Sequence, residues 1–220
     1  MKKSFSVGCV IMASGLSRRF GTNKLLADFC GQPMLCRAFD ATATPGITAR
    51  IVVTRSEEVQ ALCSAQGVPV LLHSLPGRND TVRLGLSALL EQLPELSGCM
   101  FLPGDQPLLR WETIETMTER FCREQSSPTE WQKETEREIF RLGAVADNDP
   151  TPLVGSPVLF GSSFFSELLT LPENKGGNVL LKKYPAQVRT ICIADSAELL
   201  DADTPEVLQQ LLKVLARQKG

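Results

Sequence analysis

Cationic side chains follow the first apolar segment of the chain, residues 7–13. The loop that leaves this segment reads Ala13-Ser14-Gly15-Leu16-Ser17-Arg18-Arg19-Phe20-Gly21-Thr22-Asn23-Lys24. Successive backbone N–H groups in a loop of small residues form a concave anion site, and hydroxyl, guanidinium and ammonium groups add donors that match a triphosphate. The glycine spacing is neither that of a P-loop nor that of G-x-G-x-x-G. The loop therefore indicates a polyphosphate site; the alternative is an ordinary strand-to-helix connection with three solvated cations.

A carboxylate, Asp105, occupies the corresponding place after a later apolar segment. The residues Leu102-Pro103-Gly104-Asp105-Gln106-Pro107 follow the predicted strand 99–102, and their prolines and glycine favour a fixed turn. Ligands of open α/β sheets bind outside the carboxyl ends of the strands. Asp105 is therefore predicted to hold a Mg²⁺ that bridges phosphates, with a turn-forming aspartate as the alternative.

Two predicted helix starts add further candidates. Asp203 stands three residues before Glu206, a spacing typical of a capping box, so Asp203 is either a helix cap or a second metal ligand. The segment Gly77-Arg78-Asn79-Asp80-Thr81 precedes a helical repeat of leucines, with Asn79 or Asp80 as the predicted N-cap. Arg78 and Thr81 are predicted to contact the ribose or base of a nucleotide.

The elements that must position these residues alternate between strands and helices, which favours an α/β fold with a doubly wound sheet. Predicted strands cover 7–13, 51–54, 68–72, 99–102, a pair at 139–146 and 153–160, and 188–193. Predicted helices begin at Pro33, after Ser56, near residue 80 and at 205, and cover 112–123, 163–170 and 177–184. The polar segment 126–137 is predicted to be a surface loop or insertion in one domain that spans 1–220.

Composition restricts the class of protein. The 220 residues are 43% hydrophobic and 22% charged, which is typical of a globular domain. The formal net charge of −2 gives no basic field for nucleic acid or an anionic membrane, so neither is expected as a partner. The start, Met1-Lys2-Lys3 before an apolar run, weakly resembles a signal peptide, but Ser4, Ser6 and Gly8 interrupt the run and a buried strand is preferred.

Cysteine and histidine usage narrows the chemistry further. The seven cysteines are scattered without a C-x-x-C pair, which predicts free thiols in a reducing cytoplasm rather than disulfides or a zinc ribbon. His73 is the single histidine, so a Ser-His-Asp or Cys-His catalytic group is not expected.

The motifs together resemble the MobA-like nucleotidyltransferases, and among them the molybdenum cofactor cytidylyltransferases. That family carries A-A-G-x-S-x-R-M-G-x-x-K, then G-D-x-P, then G-H-P-(V/I)-L, then D-I-D-T-P-(E/D)-D. The matching positions, in the same order over nearly the whole chain, are Ala13, Gly15, Ser17, Arg19, Gly21, Lys24, Gly104, Asp105, Pro107, Gly155, Pro157, Val158, Leu159, Asp201, Asp203, Thr204, Pro205 and Glu206. The departures are Ser14, Phe20, Ser156 and Ala202.

The resemblance implies a Rossmann-like three-layer sandwich with a mostly parallel central sheet, of the nucleotide-diphospho-sugar transferase type. It implies transfer of CMP from CTP to the molybdopterin form of the molybdenum cofactor, with release of pyrophosphate. Nucleotide-binding roles carry over to Ala13, Ser14, Gly15, Ser17, Arg19 and Lys24; Arg19, Lys24 and Asp105 would be catalytic, and Asp105 and Asp203 would carry Mg²⁺. Ser14, where the related guanylyltransferases have glycine, favours CTP over GTP, and its hydroxyl is available to the cytosine edge.

Two other interpretations stay open. The stretch Gly77 to Leu86 is similar to the S-V-x-x-G-L stretch of the methylerythritol phosphate cytidylyltransferases, which makes a sugar or polyol phosphate the alternative acceptor. The departures at Ser14, Phe20 and Ser156 also permit a non-catalytic protein that delivers cofactor to a molybdenum hydroxylase. Intact Arg19, Lys24 and Asp105 favour an enzyme.

Overall fold

The computed structural model describes residues 5–17, 19–126, 138–146 and 149–218. Its centre is a seven-stranded sheet with the order β3-β2-β1-β4-β6-β5-β7. The strands are β1 (Val7–Ala13), β2 (Ala49–Thr54), β3 (Val70–Leu72), β4 (Gly98–Pro103), β5 (Ile139–Ala146), β6 (Asp149–Gly161) and β7 (Val188–Ile193). Only β6 runs antiparallel to its neighbours in this sheet. The predicted strands are confirmed, including the β5–β6 pair.

The helices cover both faces of the sheet and produce a three-layer α/β sandwich. They are α1 (Leu35–Ala41), α2 (Glu57–Ala65), α3 (Arg78–Gln92), α4 (Trp111–Ser126), α5 (Phe165–Leu169), α6 (Asn178–Lys183) and α7 (Pro205–Gln218), with 3₁₀ turns at Lys24–Leu26, Ser162–Phe164, Pro185–Gln187 and Ser196–Leu199. Residues of β1 alternate between two buried clusters: Cys9 and Ile11 pack with α1 and α4, and Val10 packs with α3. The predicted Rossmann-like class is therefore confirmed.

Helix starts show where local sequence rules succeed and fail. Ser56 caps α2 as predicted, because its hydroxyl accepts from the N–H of Val59. At α3 the N-cap is Gly77, and the predicted cap Asp80 lies one turn inside, accepting from the Gly77 N–H at 3.0 Å. The Asn79-or-Asp80 prediction is thus wrong by two to three residues, because the Asp80 carboxylate satisfies the backbone from inside the first turn.

The capping box predicted at α7 is also wrong. Thr204 supplies the side-chain oxygen, which accepts from the N–H of Val207 at 3.3 Å. Asp203 is drawn away from the helix because cations of the first loop bind its carboxylate.

Other sequence predictions have mixed outcomes. All seven cysteines are free, and Cys9, Cys36, Cys63 and Cys99 are buried. Residue 126 ends α4, and the rest of the predicted insertion lies outside the described residues. Within the described ranges, no helix has both the length and the hydropathy needed to cross a bilayer.

The strand order places a topological switch between β1 and β4. From β1 the chain moves through β2 to β3 on one side, and it then crosses to β4 on the other side of β1. The two central strands are parallel, and Met12 pairs with Pro103 at their carboxyl ends. The loops after β1 and β4 therefore leave the sheet side by side, at the place where open α/β sheets bind ligands.

Candidate active site

A cleft of about 720 Å³ lies at this switch point. One part is polar and charged, and the other has an apolar floor formed by Met12, Val82, Phe101, Val158 and Phe160. The remaining lining residues come from the loop after β1, the residue after β2, the start of α3 with the segment before it, the end of β4 with the turn after it, strand β6, the start of α6 with the segment before it, and the segment before α7. They are Ser14, Gly15, Leu16, Ser17, Arg19, Lys24, Arg55, Pro76, Gly77, Arg78, Thr81, Pro103, Asp105, Ser156, Asn174, Gly176, Gly177, Asn178, Asp201 and Asp203.

The polar part contains a cation–carboxylate cluster centred on Lys24. Its ammonium forms an ion pair with Oδ2 of Asp105 and lies 2.8 Å from Oδ1 of Asp203. Arg19 binds the second oxygen of Asp203 at 2.6 Å. The Lys24 side chain is 12% exposed, so this contact is largely removed from solvent screening. Two residues that the sequence places 98 positions apart thus share one cation.

The protonation energetics follow from this arrangement. Partial burial lowers the pKa of Lys24, but Asp105 and Asp203 raise it, and the net shift is upward. The hydrogen bond from Lys24, assisted by Arg19, lowers the pKa of Asp203. At Asp201 desolvation and the neighbouring Asp105 carboxylate raise the pKa to about 6. Lys24 and Asp203 therefore form a charged pair, with Asp201 close to neutralisation beside it.

The loop after β1 presents backbone donors to the cleft. No described group accepts from the N–H groups of Gly15, Leu16 or Ser17. The Ser17 carbonyl accepts from Phe20 at 2.9 Å and its hydroxyl accepts from the Lys24 N–H at 3.2 Å, which folds the loop on itself. Ser17 and Gly21 adopt positive φ angles of 47° and 80°, a conformation that glycine adopts without strain. The exposed N–H groups are available to an anion.

Ser14 is held more tightly than the sequence indicates. The Arg55 guanidinium donates two hydrogen bonds to the Ser14 carbonyl oxygen, from Nε at 2.8 Å and from Nη2 at 2.5 Å. Its hydroxyl lies 3.1 Å from the Val53 carbonyl and 2.9 Å from Nε2 of His73. The hydroxyl is therefore engaged by the sheet, and the prediction that it is available to a base edge is not supported.

The Ser14–His73 contact does not form a nucleophilic pair. Nδ1 of His73 is buried and has no hydrogen-bond partner among the described residues, so no third group orients the ring. Desolvation and the nearby Arg55 lower the pKa of His73, which favours the neutral ring. The contact instead fixes the first residue of the loop.

Glu198, a buried carboxylate outside the cleft, connects the two acidic segments of the site, which are the turn that carries Asp105 and the stretch that carries Asp201 and Asp203. Glu198 is fully buried and accepts from the backbone N–H and both guanidinium donors of Arg110, at 3.1, 2.9 and 2.6 Å. The two guanidinium bonds go to Oε1, whereas Oε2 accepts the Arg110 backbone N–H and also accepts from the Thr113 hydroxyl at 2.5 Å. Because Arg110 follows the Asp105 turn and Glu198 precedes Asp201, this cluster fixes the position of one acidic segment against the other.

The opposite wall of the cleft joins α3 to the segment before α6. The Arg78 side chain packs on Gly176, where a Cβ atom would lie 2.9 Å from Cδ of Arg78. The side-chain oxygen of Asn79 accepts from the Asn174 N–H at 2.9 Å. Thr81 is buried at the cleft floor, and Arg78 is exposed with no ion pair to a described carboxylate. A free guanidinium therefore faces the cleft rim.

The structure brings most of the sequence-predicted site residues together. Those that line the cleft are Ser14, Gly15, Ser17, Arg19, Lys24, Arg78, Thr81, Asp105 and Asp203. Ala13 does not; it is buried at the end of β1, and its carbonyl accepts from Thr54. Arg18 lies outside the described residues. The Ser156 that replaces the family's histidine does line the cleft.

Sequence reasoning gave no role to Asp201, Arg55 or the Gly176-Gly177 turn. Asp201 was recoverable, because residues two apart on an extended segment point to the same side and Asp203 was already a candidate. The glycine pair between two asparagines was a signal for a close backbone approach. Arg55 gave no signal, since its function depends on where the Ser14 carbonyl lies in three dimensions.

The donor set fits a hydrated magnesium ion. In the described part of the chain no three carboxylate, imidazole or thiolate side chains gather into a group that could hold a metal by themselves. Two carboxylates, Asp105 and Asp203, do converge on one cation. Mg²⁺ commonly keeps several waters and takes one or two carboxylates plus substrate phosphates, so this pair suffices beside a triphosphate.

A doubly wound sheet with cations, free amides and carboxylates at its switch point is typical of proteins that bind nucleotides. Residues 9–188 match the family of MobA-like NTP transferase domains, and the chain belongs to this family. The predicted resemblance to MobA-like nucleotidyltransferases is thus confirmed.

Individual relatives are more distant. The chain is similar to the 3-deoxy-manno-octulosonate cytidylyltransferase of Neisseria gonorrhoeae, with 31% identity over 96 residues, 44% of this chain and 38% of that protein. Among solved structures, Rv0371c from Mycobacterium tuberculosis has a TM-score of 0.76 at 23% identity, covering 96% of this chain and 99% of that one; it has also been crystallised with manganese. A CMP:2-keto-3-deoxy-manno-octonic acid synthetase complexed with CTP has a TM-score of 0.71 at 17% identity, covering 97% and 99%.

Proposed function

We propose that the chain is a Mg²⁺-dependent cytidylyltransferase that transfers CMP from CTP to a phosphorylated acceptor and releases pyrophosphate. The observation that carries the proposal is the convergence of Lys24, Asp105 and Asp203 beside the free N–H groups of the first loop. This cluster supplies, in one cleft, the amides and cations for a triphosphate and the carboxylates for a metal.

The chemistry requires positioning and charge neutralisation. An oxygen of the acceptor phosphate attacks the α-phosphorus of CTP; a new P–O bond forms as the bond to the β-phosphate oxygen breaks, and pyrophosphate leaves with the electron pair. The acceptor phosphate is ionised, so no general base is needed. Mg²⁺ held by Asp105 and Asp203 would neutralise charge on the phosphates. The N–H groups of Gly15 to Ser17, with Arg19 and Lys24, would orient the triphosphate and stabilise the developing charge.

The nucleotide assignment rests on Ser14 and on the relatives. A side chain at position 14 occupies space that glycine would leave to a purine, and Arg55 fixes the backbone there. The relative from Neisseria gonorrhoeae carries the name cytidylyltransferase, and one structural neighbour was solved with CTP. These observations favour CTP over GTP.

For the acceptor, we propose the molybdopterin form of the molybdenum cofactor. The support is the ordered set of motifs from Ala13 to Glu206. A sugar or polyol phosphate, such as methylerythritol phosphate, is the second candidate acceptor, and the name of the Neisseria relative favours a sugar-type acceptor. Passive delivery of cofactor to a molybdenum hydroxylase is disfavoured, because a carrier does not need the Lys24–Asp105–Asp203 cluster.

One experiment compares these acceptors directly. The purified chain is incubated with Mg²⁺ and either CTP or GTP, together with molybdenum cofactor, methylerythritol phosphate or 3-deoxy-manno-octulosonate, while pyrophosphate release is followed and products are weighed by mass spectrometry. We expect release with CTP and molybdenum cofactor, and none from an Asp105→Asn control. Pyrophosphate release with a sugar or polyol acceptor and not with molybdenum cofactor would show that the proposed acceptor is wrong. If no acceptor gives release, the proposed transferase activity is wrong and the cofactor-delivery role is the remaining candidate.

A further inference from the structure

The backbone of Lys24 is fixed independently of its ammonium group. Its N–H donates to the hydroxyl of Ser17, and the Asn23 side chain caps the 3₁₀ turn by accepting from the Leu25 N–H at 3.2 Å. Leu25 anchors the turn in the core, at 4% exposure. Only the flexible four-carbon side chain of Lys24 therefore decides where its charge lies.

That charge occupies the point at which the two acidic segments meet. The ammonium contacts Oδ2 of Asp105 and Oδ1 of Asp203, while Arg19 takes the remaining oxygen of Asp203. Every Asp203 oxygen is thus bound by a protein cation. A cation between two ionised carboxylates this close is stabilising, because solvent screens their mutual repulsion poorly at this degree of burial.

We infer that Lys24 is the resident cation of this site: it holds Asp105 and Asp203 together in the free protein, and it must withdraw before both carboxylates can bind a divalent metal. The two cations compete for the same carboxylates, because a divalent ion roughly 2.0–2.1 Å from these oxygens and an ammonium in contact with them repel each other strongly at this partly buried site. Metal alone therefore binds weakly to the native chain.

A triphosphate changes this balance by giving Lys24 another partner. The free N–H groups of Gly15, Leu16 and Ser17 line the same cleft as Lys24, whose backbone N–H lies 3.2 Å from the Ser17 hydroxyl. A flexible lysine side chain of this length can therefore turn towards phosphates bound there. As the ammonium moves to the phosphates, Asp105 and Asp203 become available to the metal. Nucleotide and metal then bind cooperatively, with Lys24 as the coupling element. This second step rests on the proposed function, whereas the competition at the carboxylates does not.

The competition is tested without nucleotide or turnover. Binding of Mn²⁺ alone is measured from the electron paramagnetic resonance signal of the free ion, for the native chain and for Lys24→Met, Lys24→Arg and Arg19→Met. We expect Lys24→Met to bind Mn²⁺ more tightly by about 5- to 150-fold, the usual range for coupling between sites. Lys24→Arg, which keeps a cation, should show little gain.

Arg19→Met is the matched control, because it removes one positive charge from the same carboxylate without emptying the position between the pair. If Arg19→Met gains as much Mn²⁺ affinity as Lys24→Met, the effect comes from net charge alone and the inference is overturned. It is also overturned if Lys24→Met binds Mn²⁺ no more tightly than the native chain. Thermal unfolding with and without Mn²⁺ checks that each variant is folded, and Lys24→Gln replaces Lys24→Met if the latter is not.

The cooperative step is measured by adding α,β-methylene CTP, which cannot be cleaved between its α and β phosphates. The analogue should tighten Mn²⁺ binding in the native chain and tighten it less in Lys24→Met. Equal tightening in both proteins would overturn the coupling function. If the analogue does not bind the native chain, the proposed nucleotide is wrong, and the Mn²⁺ result without nucleotide still decides the competition.

Discussion

The N–H group of Ala202 donates a hydrogen bond to the carbonyl oxygen of Asp105 at 2.8 Å. This single backbone contact joins the turn after β4 to the segment that carries Asp201 and Asp203. Ala202 is fully buried, so the contact is protected from water. The acidic side chains on either side of it therefore meet in the cleft at a fixed separation.

Asp105→Asn should abolish transfer while the fold persists. The substitution keeps the shape of the side chain and removes the charge that a metal requires, and metal stabilisation of the transition state contributes several kcal/mol. We expect kcat to fall by about a hundredfold or more, with a circular dichroism spectrum like that of the native chain. Turnover close to native would remove Asp105 from the metal site.

Asp203→Asn and Thr204→Ala should separate chemistry from helix capping. Because Thr204 caps α7, its replacement by alanine should lower the free energy of unfolding by about 1 kcal/mol and leave kcat nearly unchanged. Asp203→Asn should instead weaken activity with little loss of stability. Urea unfolding and steady-state rates on both proteins provide the comparison, and the reverse assignment of effects would restore Asp203 as the cap.

Glu198→Ala should destabilise the protein measurably. It leaves the buried Thr113 hydroxyl and the half-exposed Arg110 guanidinium without their acceptor, and a buried donor left unsatisfied typically costs about 1–3 kcal/mol. Lys183→Ala, which removes a solvent-exposed ion pair with Glu167, is the control and should lower the stability much less. Similar unfolding midpoints in urea for the two variants would show that the Glu198 cluster is not a stabilising clamp.

The contribution of His73 to stability should be lost as the pH drops below about 6.5. Its folded pKa lies below the unfolded value, so its contribution is complete above the unfolded pKa of about 6.5 and is lost as the pH falls from there through the lower folded pKa. In His73→Gln this part of the pH dependence should disappear. Urea unfolding of both proteins at pH 5 and 7.5 measures the difference.

The pH dependence that Asp201 contributes to stability has the opposite sign to that of His73, so Asp201→Asn is the control over the same pH range. The folded pKa of Asp201, about 6, lies above its unfolded value, so its favourable contribution exists at low pH and is lost as the pH rises through 6. As the pH is raised from 5 to 7.5, the stability of Asp201→Asn should therefore increase relative to that of the native chain. The increase should be of order 1 kcal/mol, since partial solvation of the carboxyl limits it.

CTP should be preferred over GTP by roughly 10- to 200-fold in kcat/KM, the range typical of one missing or added contact. Ser14→Gly, alone or with Ala13→Gly, should reduce this preference, because glycine leaves more space for a purine and allows the backbone more conformations near the base. Ser14→Ala tests the hydroxyl separately, and it should preserve the preference if the hydroxyl only binds Val53 and His73. Better use of GTP than CTP by the native chain would overturn the cytidylyl assignment.

The sequence by itself determined the elements and the loops that connect them. Apolar runs such as Val7–Ala13 form strands because they bury both faces of a parallel sheet. Ser56 caps α2 because its hydroxyl needs only neighbouring backbone. The small-residue loop after β1 and the Gly104-Asp105 turn were recognisable as sites, since their chemistry lies in consecutive residues.

Only the tertiary structure decided which of these residues meet. Lys24 and Asp203 are 179 positions apart, and the sheet order that brings their segments together depends on packing of the whole chain. The same long-range contacts turned Asp203 away from α7, engaged the Ser14 hydroxyl with His73 and buried Glu198 against Arg110. Local rules could not supply these pairings, because a charge or hydroxyl selects its partner by distance in the folded chain and not by distance along the sequence.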